Sequence, residues 1–114
     1  MRPQQWSPLS ELEAKLIEKK FKNDLPLLSN KSEVTRKVEL FKALGDETRL
    51  RIIGMLSVRD LCMCEIVFGL DGANSTISHH LKLLEKGEVI SSRKEGKFTV
   101  YQLNKQILPL LQLD

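Results

Sequence analysis

The sequence has no apolar run approaching the roughly 18–20 residues that a membrane-crossing helix needs. Its start, MRPQQWSPLSELEAKL, lacks the apolar centre of an export signal. Neither a membrane partner nor secretion is therefore expected. Cysteine is confined to Cys62 and Cys64, which lie one residue apart and make a poor structural disulfide. Such usage suits a reducing interior, so a cytoplasmic location is expected. Histidine is as scarce, with His79 and His80 adjacent to each other. No carboxylate pair or nucleophile–base arrangement is visible, which argues against an enzyme. Low-complexity tracts and internal repeats are also missing.

What is present fits a small domain that binds something. At 114 residues the chain buries about two-thirds of its unfolded surface, so association with a second copy would be unsurprising. Eighteen lysines and arginines against fifteen aspartates and glutamates give a net charge of +3. That sum is a weak signal, and position says more: Arg93, Lys94 and Lys97 cluster around one Glu95.

Apolar periodicity places the elements. Leu9, Leu12, Leu16, Ile17 and Phe21 recur at helical spacing behind Ser10, a natural N-cap, and Asn23 to Pro26 stops the helix. Residues 29–32 read as a linker. Residues 1–32 thus form an arm with an extra amphipathic helix, and residues 33–114 form the main domain. A second helix is predicted over residues 33–44, with Val34, Val38, Phe41 and Leu44 as its stripe and Gly45 as a left-handed C′ residue. Asp46 caps a third helix whose Leu50, Ile53 and Leu56 point inward, and Gly54 suggests a close helix–helix contact. Residues 58–61 read as an extended link. A compact helix over CMCEIVFGL offers Ile66, Val67 and Leu70 to the core.

Residues 73–96, ANSTISHHLKLLEKGEVISSRKEG, carry the strongest functional signal. A helix over Asn74–Lys86, capped by Asn74 or Ser75, puts Ile77, Leu81 and Leu84 on its buried face. Ser75, Ser78, His79 and Lys82 occupy the opposite face, able to hydrogen-bond but with nothing to catalyse. His80 falls one turn from Ile77 and Leu84 and suits a packing or orienting role. Two runs, 89–94 and 97–103, joined at Glu95 and Gly96, predict a hairpin with a basic tip. Asn104 caps a last short helix carrying Ile107, Leu110, Leu111 and Leu113, with Pro109 in its first turn. So many leucines suggest burial against a partner subunit. The expected fold class is mainly α with a β-hairpin wing (α+β), a winged helix–turn–helix.

The segments FKALGDETRLRIIGML, DLCMCEI, STISHHLKLLEKG and SRKEGKFTVYQL resemble, in order, successive blocks of the ArsR/SmtB family of repressors. The resemblance implies a homodimer joined through its first and last helices that holds a double-stranded DNA operator until an inducer binds. Asn74, Ser75, Thr76, Ser78, His79 and Lys82 are then the candidates for groove contact, and Arg93, Lys94 and Lys97 for phosphate contact. A dimer of this kind reads two half-sites roughly 34–36 Å apart, so an imperfect palindrome is expected. Two features depart from the family pattern. Glu88 stands in place of the usual apolar residue of Gly-Leu-Val, which predicts a loosened wing start, and Asp71 to Asn74 replaces the usual Ser-Gln entry to the reading helix.

DLCMCEI resembles the family box whose thiolates bind arsenite, antimonite, cadmium or lead. No cofactor is required on this reading, and As(III)/Sb(III) or Cd(II)/Pb(II) at Cys62 and Cys64 is the implied inducer. Residues two apart on a regular helix point roughly 200° apart, so chelation requires Cys62 to sit in the cap. A helix start would also lower the thiol pKa. The third ligand used by family members is not matched: Val67 stands one turn on, residues 1–32 hold no cysteine, and Asp114 is the one carboxylate of the tail. Alternatives are a thiol-redox-responsive or inducer-free repressor, and a protein-interaction module with degenerate DNA binding.

Overall fold

Ser10 and Glu13 cap each other's backbone at the start of α1 (Glu11–Asp24) in the computed structural model, which describes residues 6–112. The Glu13 amide donates to Ser10 Oγ at 3.2 Å, and the Ser10 amide donates to the Glu13 carboxylate at 2.9 Å. This reciprocal box satisfies two amides that a helix start leaves without partners. A 3-10 turn, Pro26–Ser29, follows. Residues 1–5 of the expected arm, and Leu113 and Asp114 of the tail, lie outside the described residues. No described helix is long and apolar enough to cross a membrane.

The chain divides into two units, Met1–Thr35 and Arg36–Asp114. In the first unit α1 buries none of its residues, and Leu12, Leu16 and Ile17 are exposed. Asn30 Oδ1 accepts the Glu33 amide at 3.2 Å, so α2 (Lys31–Leu44) begins two residues earlier than periodicity predicted. The supposed linker is a helix start with its own cap.

The second unit continues through α3 (Glu47–Val58), β1 (Leu61–Cys62), α4 (Met63–Leu70), α5 (Asn74–Lys86), β2 (Ile90–Glu95), β3 (Phe98–Leu103) and a 3-10 helix, Lys105–Leu111. Its core joins Ala43 of α2, Ile52, Ile53 and Leu56 of α3, Ile66 of α4, and Ile77, Leu81 and Leu84 of α5. Val89, Ile90, Leu103 and Ile107 close it from the sheet side. Several predicted inward positions differ. On α2 the buried residue is the small Ala43, while Val38 and Phe41 are exposed. On α3, Ile52 replaces Leu50, which is 43% exposed. On α2 the largest side chains are not the ones turned inward, because a helix facing a close neighbour buries its smallest face there.

Glycines tell the same story of proximity. A Cβ on Gly54 would meet nothing within 4 Å, so no close helix contact is made there among the described residues. Gly45 also stays out of the left-handed region. The close approach is at Gly87, where a Cβ would stand 2.8 Å from both Ala43 Cβ and the Glu39 carbonyl oxygen. Backbone cannot yield as a side chain can. Gly87→Ala is therefore expected to cost about 1–3 kcal/mol in urea denaturation. An unchanged midpoint would show that the end of α5 is free to move from α2.

The wing is a three-stranded sheet in the order β1-β3-β2, not a bare hairpin. Leu61, predicted to end a link, and Cys62, predicted to open the next helix, pair antiparallel with Tyr101 and Val100. The tip turn is Gly96-Lys97, one residue later than predicted, since Glu95 pairs with Phe98. Gly96 takes a φ of 60°, as the first position of a tight hairpin turn demands. The last helix is 3-10 rather than α and begins before Pro109, with Asn104 Oδ1 capping it by accepting the Gln106 amide at 3.1 Å.

The start of the wing is also firmer than Glu88 suggested. Glu88 takes a left-handed backbone with φ 60°, and its carboxylate meets Arg36 at 3.0 Å. Its carbonyl accepts Asn104 Nδ2 at 3.1 Å, while the Asn104 amide donates to the Val89 carbonyl at 2.8 Å.

Candidate nucleic-acid interface and thiol pair

Helix α5 exists because one stripe is apolar and the other is not. Ile77, Leu81 and Leu84 are all 1% exposed or less. Asn74, Ser75, Thr76, His79 and Lys82 are exposed, and Ser78 is half-buried. Positions 75, 78, 79 and 82 follow the steps that put residues on one helix face. The cap residue is Ala73, not Asn74 or Ser75, and it makes no side-chain cap hydrogen bond. Its carbonyl accepts the Ile77 amide at 3.0 Å. The first polar side chains of the helix are thus left out of capping.

His80 is oriented from behind, as its place on the helix predicted. Its side chain is 12% exposed, and its Nδ1 lies 3.0 Å from Arg49 Nη1. Arginine can only donate, so Nδ1 is the acceptor in this contact. Arg49 also donates Nε to the Ala43 carbonyl and Nη2 to the Lys42 carbonyl, both at 3.0 Å. One guanidinium therefore closes the last carbonyls of α2 and braces α5 through His80. The Asp46 carboxylate caps α3 by accepting the Arg49 amide at 3.1 Å. That hydrogen bond, aided by the Arg49 charge, holds Asp46 below the usual carboxylate range. Sequence reasoning missed Arg49. Its position, three residues after an N-cap aspartate, hints at the amide contact but not at the side chain's reach.

The wing divides its basic residues. Lys94 donates to Thr99 Oγ1 across the hairpin at 2.9 Å, and Lys97 Nζ lies 5.7 Å from the Phe98 ring centre. Both remain exposed near the tip. Arg93 turns onto the sheet. Its Nη1 donates to Asp60 at 2.8 Å and to Gln102 Oε1 at 2.7 Å, while Nε and Nη2 donate to Glu95 at 3.1 and 3.0 Å. The carboxylates of Asp60 and Glu95 raise the arginine's already high pKa.

Cys62 occupies a backbone position that lets two neighbouring thiols converge. It is the N-cap of α4, with extended φ −84° and ψ 166°, so its side chain leaves the helical spiral. Its Sγ stands 2.7 Å from Sγ of Cys64. The Cys62 amide donates to the Glu65 carboxylate at 3.0 Å, which holds that carboxylate below its ordinary range. Cys62 is buried and Cys64 exposed. The expected acidification of the thiol is not seen: hydrogen bonding to Cys64, then burial, push Cys62 upward. Both sulfurs border an open cleft of about 340 Å³, lined also by Glu65, Glu95, Phe98 and Val100. Among the described residues no group of three His, Cys, Asp or Glu side chains could hold a metal ion.

Comparison with known proteins identifies this arrangement. Residues 46–92 match the family described as bacterial regulatory protein, arsR family. The arsenical resistance operon repressor of Escherichia coli (strain K12) is 42% identical over 71 residues, covering 61% of each chain. This chain thus spans about three-fifths of that relative. The structure of HlyU from Vibrio cholerae N16961 aligns with a TM-score of 0.62 at 30% identity, over 72% of this chain and 94% of the other. The homodimeric winged helix-turn-helix DNA-binding domain of Mb0332 from Mycobacterium bovis aligns with a TM-score of 0.61 over 93% of this chain and 82% of its own. At 20% identity that last likeness speaks to the fold alone. With a buried apolar stripe and a polar outer face on α5, a three-stranded wing beside it, and these relatives, the chain belongs to the ArsR family of bacterial transcriptional regulators, a winged helix–turn–helix and not an enzyme.

Proposed function

We propose that the chain is a repressor that binds a double-stranded operator as a homodimer and releases it when a soft metal or trivalent metalloid bridges Cys62 and Cys64. The observation that carries the inducer reading is the 2.7 Å approach of the two sulfurs at the start of α4. Thiolates select soft ions. Two sulfurs on one ion stand further apart than 2.7 Å, roughly 3.8 Å for a zinc-like thiolate site, so the pair opens by about 1 Å or more to take one ion.

On the DNA side, Asn74, Ser75, Thr76, Ser78, His79 and Lys82 face the major groove, and Lys94 and Lys97 meet phosphates from the wing. Residues 33–114 supply DNA binding and dimerisation, and residues 1–32 add an arm and a helix. Exposed Leu12, Leu16 and Ile17 on α1, and Leu110 at 57% exposure in the final 3-10 helix, support pairing through the first and last helices. Such a repressor works in the cytoplasm.

The test is a titration of arsenite and cadmium against the operator complex, with Cys62→Ser/Cys64→Ser as control. Wild type is expected to lose more than about tenfold in operator affinity, a coupling of ordinary size, and the double variant to lose none. Equal dissociation of the two proteins ends the thiol reading.

The pH dependence then separates the inducers. Arsenite, As(OH)₃, condenses with two thiols and releases two waters, with no net proton. Cadmium binds thiolates and must displace the Cys62 proton, which is held above the ordinary value of 9.0. Raising the pH from 6 to 8 is expected to tighten cadmium binding by at least about tenfold per unit and to leave arsenite binding flat. A flat cadmium profile would mean that Cys62 is not a ligand.

A further inference from the structure

We propose that Arg93 is a positioning residue that couples the thiol pair to the wing, and is not one of the groups that hold DNA. The inference rests on the thiol-ligand reading above.

Cys62, Val100 and Arg93 form one row across the sheet, since Cys62 pairs with Val100 and Val100 with Arg93. Directly opposed residues of antiparallel strands project from the same face. Asp60, two residues before Cys62, shares that face, as do Gln102 and Glu95. Arg93 reaches over β3 and ties β2 to Asp60 at 2.8 Å, at the entry to the strand that carries the thiol. The remaining bonds, to Gln102 and Glu95, occupy most of the guanidinium fork. Little of it is left for a phosphate. The cleft around this cluster shares Glu65, Glu95 and Val100 with the cleft beside the sulfurs.

Strain at the thiols therefore has a defined route. Cys62 is the last residue of β1 and its backbone is bonded to Glu65 of α4, so a ligand that spreads the sulfurs displaces β1 and not the Cys62 side chain alone. Asp60 moves with it, and Arg93 passes the motion to β2 and the wing tip. Side-chain exposures of 42% for Arg93 and 43% for Asp60 make the ion pair a weak one. A weak link suits a contact that must change when the ligand arrives.

The test compares wild type with Arg93→Gln and Asp60→Asn. Operator affinity is measured across salt concentrations, with and without cadmium chloride. Both variants are expected to keep basal affinity within about threefold and the wild-type slope of log affinity against log salt. Cadmium is expected to weaken wild type more than about tenfold and each variant less than about threefold. A slope shallower by about 1.8 in Arg93→Gln, about 0.9 for each protomer, would make Arg93 a phosphate contact and overturn the proposal. Variants that respond like wild type would also overturn it, with the thiol reading intact. A wild type deaf to cadmium and arsenite would end both. Asp60→Asn leaves Arg93 in place, so a folding defect in Arg93→Gln alone does not blunt the test.

Discussion

Alanine at both Ser78 and His79 is expected to weaken operator binding more than about tenfold while leaving the chain folded. The two residues lie on the outer face of α5, opposite Ile77, Leu81 and Leu84. His79 is the freer of the two histidines, because His80 is bonded to Arg49. Hydrogen bonding to base edges discriminates by about 1–3 kcal/mol for a good bidentate contact, and a homodimer makes each contact twice. Alanine is the strongest helix former, so the substitution removes chemistry without loosening the helix. Anisotropy with the operator and a scrambled duplex, at two salt concentrations, reads the effect. Loss is expected on the operator and little change on the scrambled duplex. Equal loss on both would recast the pair as phosphate contacts, and no loss would move the reading face elsewhere.

Leu81→Ala has the other large effect, through the fold. Leu81 is 1% exposed at the centre of α5, in the cluster shared by α3, α4 and the sheet. Removing a buried leucine side chain from such a site costs about 2–5 kcal/mol, the lost transfer energy plus the cavity left behind. Domains of this kind are stable by only about 5–15 kcal/mol, so a large share is removed at one position. Urea denaturation should show a much lower midpoint with an unchanged slope. A cost below about 1 kcal/mol would mean that the surroundings collapse onto the gap and that α5 is less firmly seated than its burial indicates.

Helix α5 was the most legible part of the chain. Its predicted bounds, Asn74–Lys86, and its buried stripe match the structure, because a strong 3.6-residue period at an internal element leaves little choice. The stripe of α2 was misread for the opposite reason. Val38 and Phe41 are the conspicuous residues, yet the core accepts Ala43, the one small enough for the approach of Gly87. Two residues, Leu61 and Cys62, are too few to show alternation, so β1 became visible only through its partner β3. Periodicity also cannot tell a 3-10 helix from an α-helix over the seven residues ending at Leu111.

At the thiol site, sequence posed the right condition, that Cys62 lie in the cap, and the structure meets it. The upward push on the Cys62 thiol was hidden, because it comes from the partner sulfur and not from the helix start. The tertiary contacts of Arg49 and Arg93 were hidden too. A long side chain's reach depends on tertiary neighbours that no local pattern encodes.

Glu88 bears on how this surface tolerates change. An exposed side chain ordinarily marks a position where substitutions pass unnoticed. Here the backbone holds φ at 60°, a region that β-branched residues enter only at considerable cost. Valine, isoleucine and threonine are therefore disfavoured at a site where solvent would accept them. Glycine would fit the backbone but forfeit the carboxylate that meets Arg36. The foot of the wing is restricted in sequence by its peptide geometry, and surface accessibility alone would rank it among the freest positions in the molecule.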